Sequence, residues 1–186
     1  MSHEPDAETV IRPAAVADVP AIHGIINDAA ELGLMLHKPM GRLYETVRMF
    51  HVAEDAGGVI GVCGLSIIWA DLAEIVSLAV APSARGRGIG GRLAQACLDE
   101  ARDRGIRRVM SLTYERGFFE RLGFGVVDRQ TLPMKVWADC VHCPKNHACD
   151  EIAMMRVFDD LPQLEVPRPP VPAGLEVPVV LTNSAG

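Results

Sequence analysis

Leu78-Ala79-Val80-Ala81-Pro82-Ser83-Ala84-Arg85-Gly86-Arg87-Gly88-Ile89-Gly90-Gly91 is the run on which the fold turns. A strand, Ala73 to Val80, leads into it. Leu93, Ala94, Cys97, Leu98 and Ala101 leave it at helical spacing, and Gly105 closes that helix. A joint of this kind gathers backbone N–H groups at the positive end of a helix, where a phosphate is well held. Gly permits close approach of a ligand. Arg85, Arg87 and Arg92 add positive charge to a chain whose net charge is −6. A plain Gly-rich connection is the competing reading of the same loop.

Upstream, Val10 to Arg12 reads as a short strand. Asp18 reads as a helix N-cap, with Pro20 in the first turn and Ile22, Ile25, Ile26 and Ala29 on the apolar face, up to Gly33. Leu34 to Pro39 is a loop and Leu43 to Met49 a second helix. Phe50 to Glu54 and Val59 to Trp69 form a hairpin around Asp55-Ala56-Gly57-Gly58, and Asp71-Leu72 turns into the next strand. Downstream come a strand (Arg108 to Thr113), a short helix (Phe118 to Leu122) and two strands (Phe124 to Asp128 and Ile152 to Val157). A meander followed by a β-α-β crossover predicts a mixed sheet with helices on both faces.

The chain has 186 residues, 49% of them hydrophobic and 23% charged, the composition of a soluble globular domain. Its 24 acidic against 18 basic residues argue against a general nucleic-acid binder. No apolar run reaches membrane-spanning length, and Met1 to Glu8 is polar and acidic, so neither a membrane partner nor a signal peptide is expected. The cytoplasm is the expected compartment. Residues 1–160 read as one domain and 161–186 as an extended tail, because six of the 13 prolines fall between Pro162 and Pro178. A homodimer is left open.

Two ligands compete for the loop. Gly86-Arg87-Gly88-Ile89-Gly90-Gly91 fits the G-x-G-x-x-G dinucleotide fingerprint. Against this, Ala81 to Arg85 intervene after the strand, and Glu115 lies too far on for the ribose acid. The alternative is R-x-x-G-x-G, Arg85 to Gly90, preceded by Leu78-Ala79-Val80 and followed by Phe119-Glu120-Arg121-Leu122-Gly123-Phe124. This resembles the acyl-CoA pyrophosphate loop of the GNAT (Gcn5-related) N-acetyltransferases. The resemblance implies an α/β (α+β) fold with a GNAT-like mixed, mostly antiparallel central sheet. It implies acetyl-CoA as cosubstrate. Leu78, Ala79 and Val80 would border the pantetheine in a splayed sheet. Arg85, Gly86, Arg87, Gly88, Ile89, Gly90 and Gly91 would hold the pyrophosphate.

Further stretches are similar to short-form amino-acid N-acetyltransferases, the N-acetylglutamate synthases without a kinase-like domain. They are Gly33-Leu34-Met35-Leu36, Asp71-Leu72-Ala73-Glu74-Ile75, Leu112-Thr113-Tyr114, Phe118-Phe119-Glu120 and, most specifically, Leu132-Pro133-Met134-Lys135-Val136-Trp137-Ala138-Asp139-Cys140-Val141-His142-Cys143-Pro144-Lys145, closed by Cys149-Asp150-Glu151. This implies acetyl transfer to the α-amine of L-glutamate, the first step of arginine biosynthesis. An acetyltransferase for another amine and a non-catalytic CoA-binding module are the alternatives.

The chemistry sets the rest. An α-amine is mostly protonated at neutral pH and must lose a proton before it attacks a thioester. The family places a carboxylate base at Glu74; it shares a side of its strand with Ser77 only if a bulge shifts the period. An N–H near Ala79 or Val80 would stabilise the oxyanion. The Tyr that many members use as thiolate acid is replaced by Phe119, so Thr113 and Tyr114 are the substitutes. Lys38, Arg42 and Lys135 are the candidates for the substrate carboxylates. Lys38, beside His37, stands where the family has Arg, and Lys lacks its bidentate fork.

Cys140-x-x-Cys143-x5-Cys149, with His142 and His147, carries enough soft ligands for zinc. A reduced loop and a disulfide switch are the alternatives. Cys63 and Cys97 read as core residues.

Overall fold

The computed structural model describes residues 9–129, 132 and 150–164. Strand β1 (Val10–Pro13) leads to helices α1 (Val19–Glu31) and α2 (Met40–Thr46). The meander β2 (Phe50–Asp55), β3 (Gly58–Trp69) and β4 (Leu72–Val80) follows. Helix α3 (Ile89–Asp103) crosses to β5 (Arg108–Thr113), and α4 (Arg116–Arg121), β6 (Gly125–Val126) and β7 (Ile152–Val157) are the remaining elements among the described residues. The sheet order is β1-β2-β3-β4-β5-β7-β6. Every pairing is antiparallel except β4 with β5. The expected mixed, mostly antiparallel sheet is what forms.

Helices cover both faces. Leu93, Ala94, Cys97, Leu98 and Ala101 of α3 are fully buried against one, together with Phe119 and Phe124. Val19, Ile22 and Ile26 of α1 are fully buried against the other, with Leu43 of α2. Burying each large aliphatic side chain contributes roughly 1.5–3 kcal/mol, so the periodicity that located these helices is also what holds them to the sheet.

Several boundaries moved for local reasons. Asp18 precedes α1, but its carboxylate turns back to accept the Ala15 N–H at 2.7 Å and two Arg12 N–H groups at 2.6 and 2.9 Å. It makes no side-chain cap on α1. The second helix begins at Met40 because the Pro39 carbonyl accepts the Leu43 N–H at 3.2 Å, and residues 47–49 tighten into a 3₁₀ turn. The expected strand over 124–128 shrinks to two residues at the sheet edge, extended by Val127 N–H donating to Ala153 O. Of the Pro-rich tail, 165–186 lie outside the described residues; Leu161 packs on the α3-side core.

Two features of β4 position the site. Its parallel pairing with β5 runs only from Leu72/Arg108 to Glu74/Met110. The foot of that pairing is clamped by Arg108, whose guanidinium donates to both Asp71 oxygens at 3.0 and 3.1 Å. Beyond Glu74 the strands part, and the Ser111 hydroxyl bridges to Ile75 O at 3.3 Å. The antiparallel pairing with β3 shifts register between Val62/Ala79 and Gly64/Val76. Ser77, in the shift, has φ 54°, the only positive value for a non-Gly residue among those described. This is the bulge that the placing of Glu74 required.

Candidate active site

The parted strands open a cleft of about 820 Å³. Glu74, Thr113, Tyr114, Lys38 and Arg42 all border it, so the described members of the predicted catalytic and substrate-binding sets converge on one space. Leu78, Ala79 and Val80 form its β4 wall. A second cavity of about 500 Å³ lies at the glycine loop and shares Val80, Arg85, Gly90, Phe118 and Arg121 with the cleft. The two form one path from the loop to the gap in the sheet.

Glycine is required at the loop itself. Gly86 and Gly88 adopt φ 79° and 72°, the left-handed region that costs other residues a Cβ clash. Gly88 is the residue before α3 and supplies no side-chain cap. The first-turn N–H groups of a helix have no acceptor within the helix, and those of Ile89, Gly90 and Gly91 stand at the second cavity, which these three residues line. Arg85 donates from Nε to Val80 O at 3.2 Å and faces both cavities.

The other two loop arginines do something else. Arg87 donates to Thr9 Oγ1 at 3.1 Å and lies 3.5 Å from Asp55. Arg92 donates to Thr9 O at 2.7 Å. Their side chains fasten Thr9, just before β1, and neither lines the loop cavity. The main chain of Arg87 keeps its place in the loop.

On the acceptor side, half-buried Lys38 is held by the carboxamide of Asn27 on α1, which bonds both its N–H and its carbonyl. One turn along α1, Glu31 meets His37 Nε2 at 2.7 Å. Arg42 borders the cleft, but its guanidinium bonds Glu45 Oε2 at 3.0 Å on an exposed helix face. Thr113 is buried, and its Oγ1 accepts the Glu115 N–H at 2.9 Å. That leaves the hydroxyl proton free to point elsewhere. Phe119 is buried in edge contact with Phe118 and Phe124, a packing role that offers no proton. Lys135 and the Cys140, Cys143, Cys149 cluster, with His142 and His147, lie outside the described residues. Among the described residues no group of three or more His, Cys, Asp or Glu side chains is placed to hold a metal. No helix among them is long and apolar enough to cross a membrane.

Sequence reasoning missed two contributors. Arg121 borders both cavities; its spacing of three from Phe118 puts them on one face of α4, a signal that was available. Asn27 carried no signal, because its role exists only once the loop folds back on α1.

A family model described as Acetyltransferase (GNAT) family matches residues 27–124. An uncharacterized N-acetyltransferase of Chlorobaculum tepidum is 40% identical over 154 residues, 83% of this chain and 99% of its own length. An amino-acid acetyltransferase of Mycobacterium tuberculosis is 38% identical over 135 residues, 71% of this chain and 77% of its own. A crystal structure of a Mycobacterium tuberculosis protein in complex with CoA superposes with a TM-score of 0.71 at 32% identity, covering 80% of this chain and 99% of that one. N-acetylglutamate synthase of Neisseria gonorrhoeae, complexed with coenzyme A and N-acetyl-glutamate, gives 0.73 at 29% identity; this chain covers 35% of its length. With the loop, the splayed sheet and these relatives in agreement, the chain belongs to the GNAT family of N-acetyltransferases.

Proposed function

We propose that the protein transfers the acetyl group of acetyl-CoA to the α-amine of L-glutamate, by direct attack in a ternary complex, as the first step of arginine biosynthesis in the cytoplasm. The observation that carries this reading is the convergence of Glu74, Thr113 and Lys38 on one cleft that continues into the glycine-loop cavity. Relatives named amino-acid acetyltransferase support the acceptor class. The free thiols of Cys63 and Cys97 suit a reducing compartment. In this reading residues 1–160 are the catalytic unit, and residues 161–186 lie outside it.

The loop amides and Arg85 bind the pyrophosphate, and the pantetheine lies between β4 and β5. Glu74 accepts the proton of the acceptor ammonium, directly or through water, and the neutral amine attacks the thioester carbonyl. A main-chain N–H at Ala79 or Val80 holds the oxyanion. Thr113, with Tyr114 as its neighbour, gives a proton to the leaving thiolate. Lys38, Arg42 and Lys135 face the acceptor carboxylates. Holding both substrates in one cleft replaces a bimolecular encounter by an oriented one.

The engagement of Arg42 by Glu45 favours a second reading, an amino acid with less demand for cations at its side chain. Both readings are separated by following free-CoA release from acetyl-CoA with each of the twenty amino acids and several simple amines. Selective turnover of glutamate supports the first reading. Turnover confined to another acceptor replaces it with the second. CoA binding without turnover of any acceptor would leave a binding module.

A further inference from the structure

One cluster of reactive side chains lies away from the cleft. Cys63 on β3 and Cys97 on α3 are both fully buried, and their sulfurs are 3.4 Å apart. His51 stands opposite Cys63 across β2 and β3 and brings Nδ1 to 3.8 Å from the Cys97 sulfur. Glu100, three residues after Cys97 on α3, lies 3.6 Å from that same nitrogen and takes the Arg104 Nε at 2.7 Å. Packing alone needs none of this: a thiol in a core is served by any small apolar neighbour. Two sulfurs in contact beside an imidazole and a carboxylate are the components of a thiol–disulfide centre.

We propose that Cys63 and Cys97 are a redox site, at which a hydroperoxide converts the two thiols to a disulfide that staples α3 to β3.

The roles of the two sulfurs differ. Hydrogen bonding from Cys63, helped by His51, brings Cys97 down to about 7, while the same contact and full burial push Cys63 up. Cys97, the sulfur that His51 Nδ1 reaches at 3.8 Å, is the attacking thiolate and Cys63 the resolving thiol. The Cys97 thiolate takes the terminal oxygen of the peroxide, the O–O bond breaks, and the alkoxide or hydroxide leaves with a proton from solvent. Cys63 then attacks the resulting sulfenic acid, the S–S bond forms, and water departs with the Cys63 proton. Two thiols lose two electrons and the peroxide gains them. The sulfurs must approach by about 1.4 Å to reach bonding distance. A reagent reaches the buried pair past His51 and Glu100, whose side chains are 13% and 20% exposed.

The staple would join two parts of the acetyl-CoA site. Cys97 is two turns along α3 from Ile89, at the loop end of the helix. Cys63 lies at the register shift opposite Ser77 and Leu78 of β4.

The test uses the full reduced chain exposed to hydrogen peroxide, followed by alkylation and peptide mass mapping. A Cys63–Cys97 cross-linked peptide, about 2 Da lighter than the sum of the two thiol peptides and lost on adding dithiothreitol, is expected. The melting temperature of the oxidised form should rise by about 5–10 °C. In a Cys63→Ala variant the cross-link disappears. Recovery of both cysteines as free thiols in the folded protein, under peroxide that oxidises glutathione completely, would overturn the proposal. So would cross-links that join either one to Cys140, Cys143 or Cys149.

Discussion

The side-chain amide of Asn27 brackets the Lys38 peptide: Nδ2 donates to the Lys38 carbonyl at 3.1 Å, and Oδ1 accepts the Lys38 N–H at 2.9 Å. Helix α1 thereby sets where the loop presents its cation to the cleft. Two neutral hydrogen bonds are worth about 2 kcal/mol together. Asn27→Ala should raise KM for the amino-acid acceptor about tenfold and leave KM for acetyl-CoA unchanged. Steady-state kinetics with each substrate varied in turn checks this. An equal rise in both constants would mean that the loop serves the whole cleft.

Glu74 has Ser66 as its register partner on β3 and Met110 on β5, at the last rung before the strands part. Glu74→Gln keeps the shape and removes the proposed base. Turnover should fall by about 10²–10⁴-fold at neutral pH. Acetyl-CoA affinity, read by calorimetry, should stay within about twofold. Retained turnover would move the base elsewhere in the cleft.

Much of this was legible in the residues, and the reasons differ by element. The faces of α1 and α3 follow from apolar spacing, which burial enforces directly. The glycines at 86 and 88 were legible because their backbone conformation excludes side chains. The bulge at Ser77 is a condition for Glu74 to share its side of the strand, and the family's splayed strand, not the spacing, is what implies it. What stayed hidden was non-local. Arg87 and Arg92 looked like anion ligands, yet Thr9, more than seventy residues away in sequence, takes them. Asp18 looked like a cap, yet Arg12 and the Ala15 N–H take its carboxylate. Charged side chains choose partners only after the chain has folded, and spacing does not record that choice.

Gly90 separates ligand binding from stability. A Cβ there would meet Phe118 at 3.7 Å and Val80 at 3.8 Å, ordinary contact distances, and the backbone is helical. Gly90→Ala should therefore leave the free protein as stable as before, or more so by about 0.5–1 kcal/mol. The new methyl would project toward the junction of the two cavities, where the proposed pyrophosphate lies. KM for acetyl-CoA should rise at least about tenfold. Gly88→Ala, at φ 72°, should instead lose about 1–2 kcal/mol of stability as well. Thermal melts and kinetics on the two variants distinguish these patterns.

The acid limb of stability should depend on Asp18. Its carboxyl is held below the usual range chiefly by hydrogen bonds from Arg12, with help from the Ala15 N–H and against the cost of burial. A depressed folded-state value means that the ion pair stabilises the protein above the ordinary carboxylate value of about 3.9. That contribution is lost as pH falls through the lower, folded value. Asp18→Asn should cost about 2 kcal/mol at pH 7, because Arg12 keeps only Glu54 and loses its more buried partner. The loss should shrink as pH falls below about 4. Urea unfolding of both proteins at pH 7, 5 and 3 reads this directly. Parallel curves for the two proteins across that range would show that Asp18 titrates alike folded and unfolded. Because Asp18 joins β1 to the start of α1, the same variant should also loosen the helix that carries Asn27.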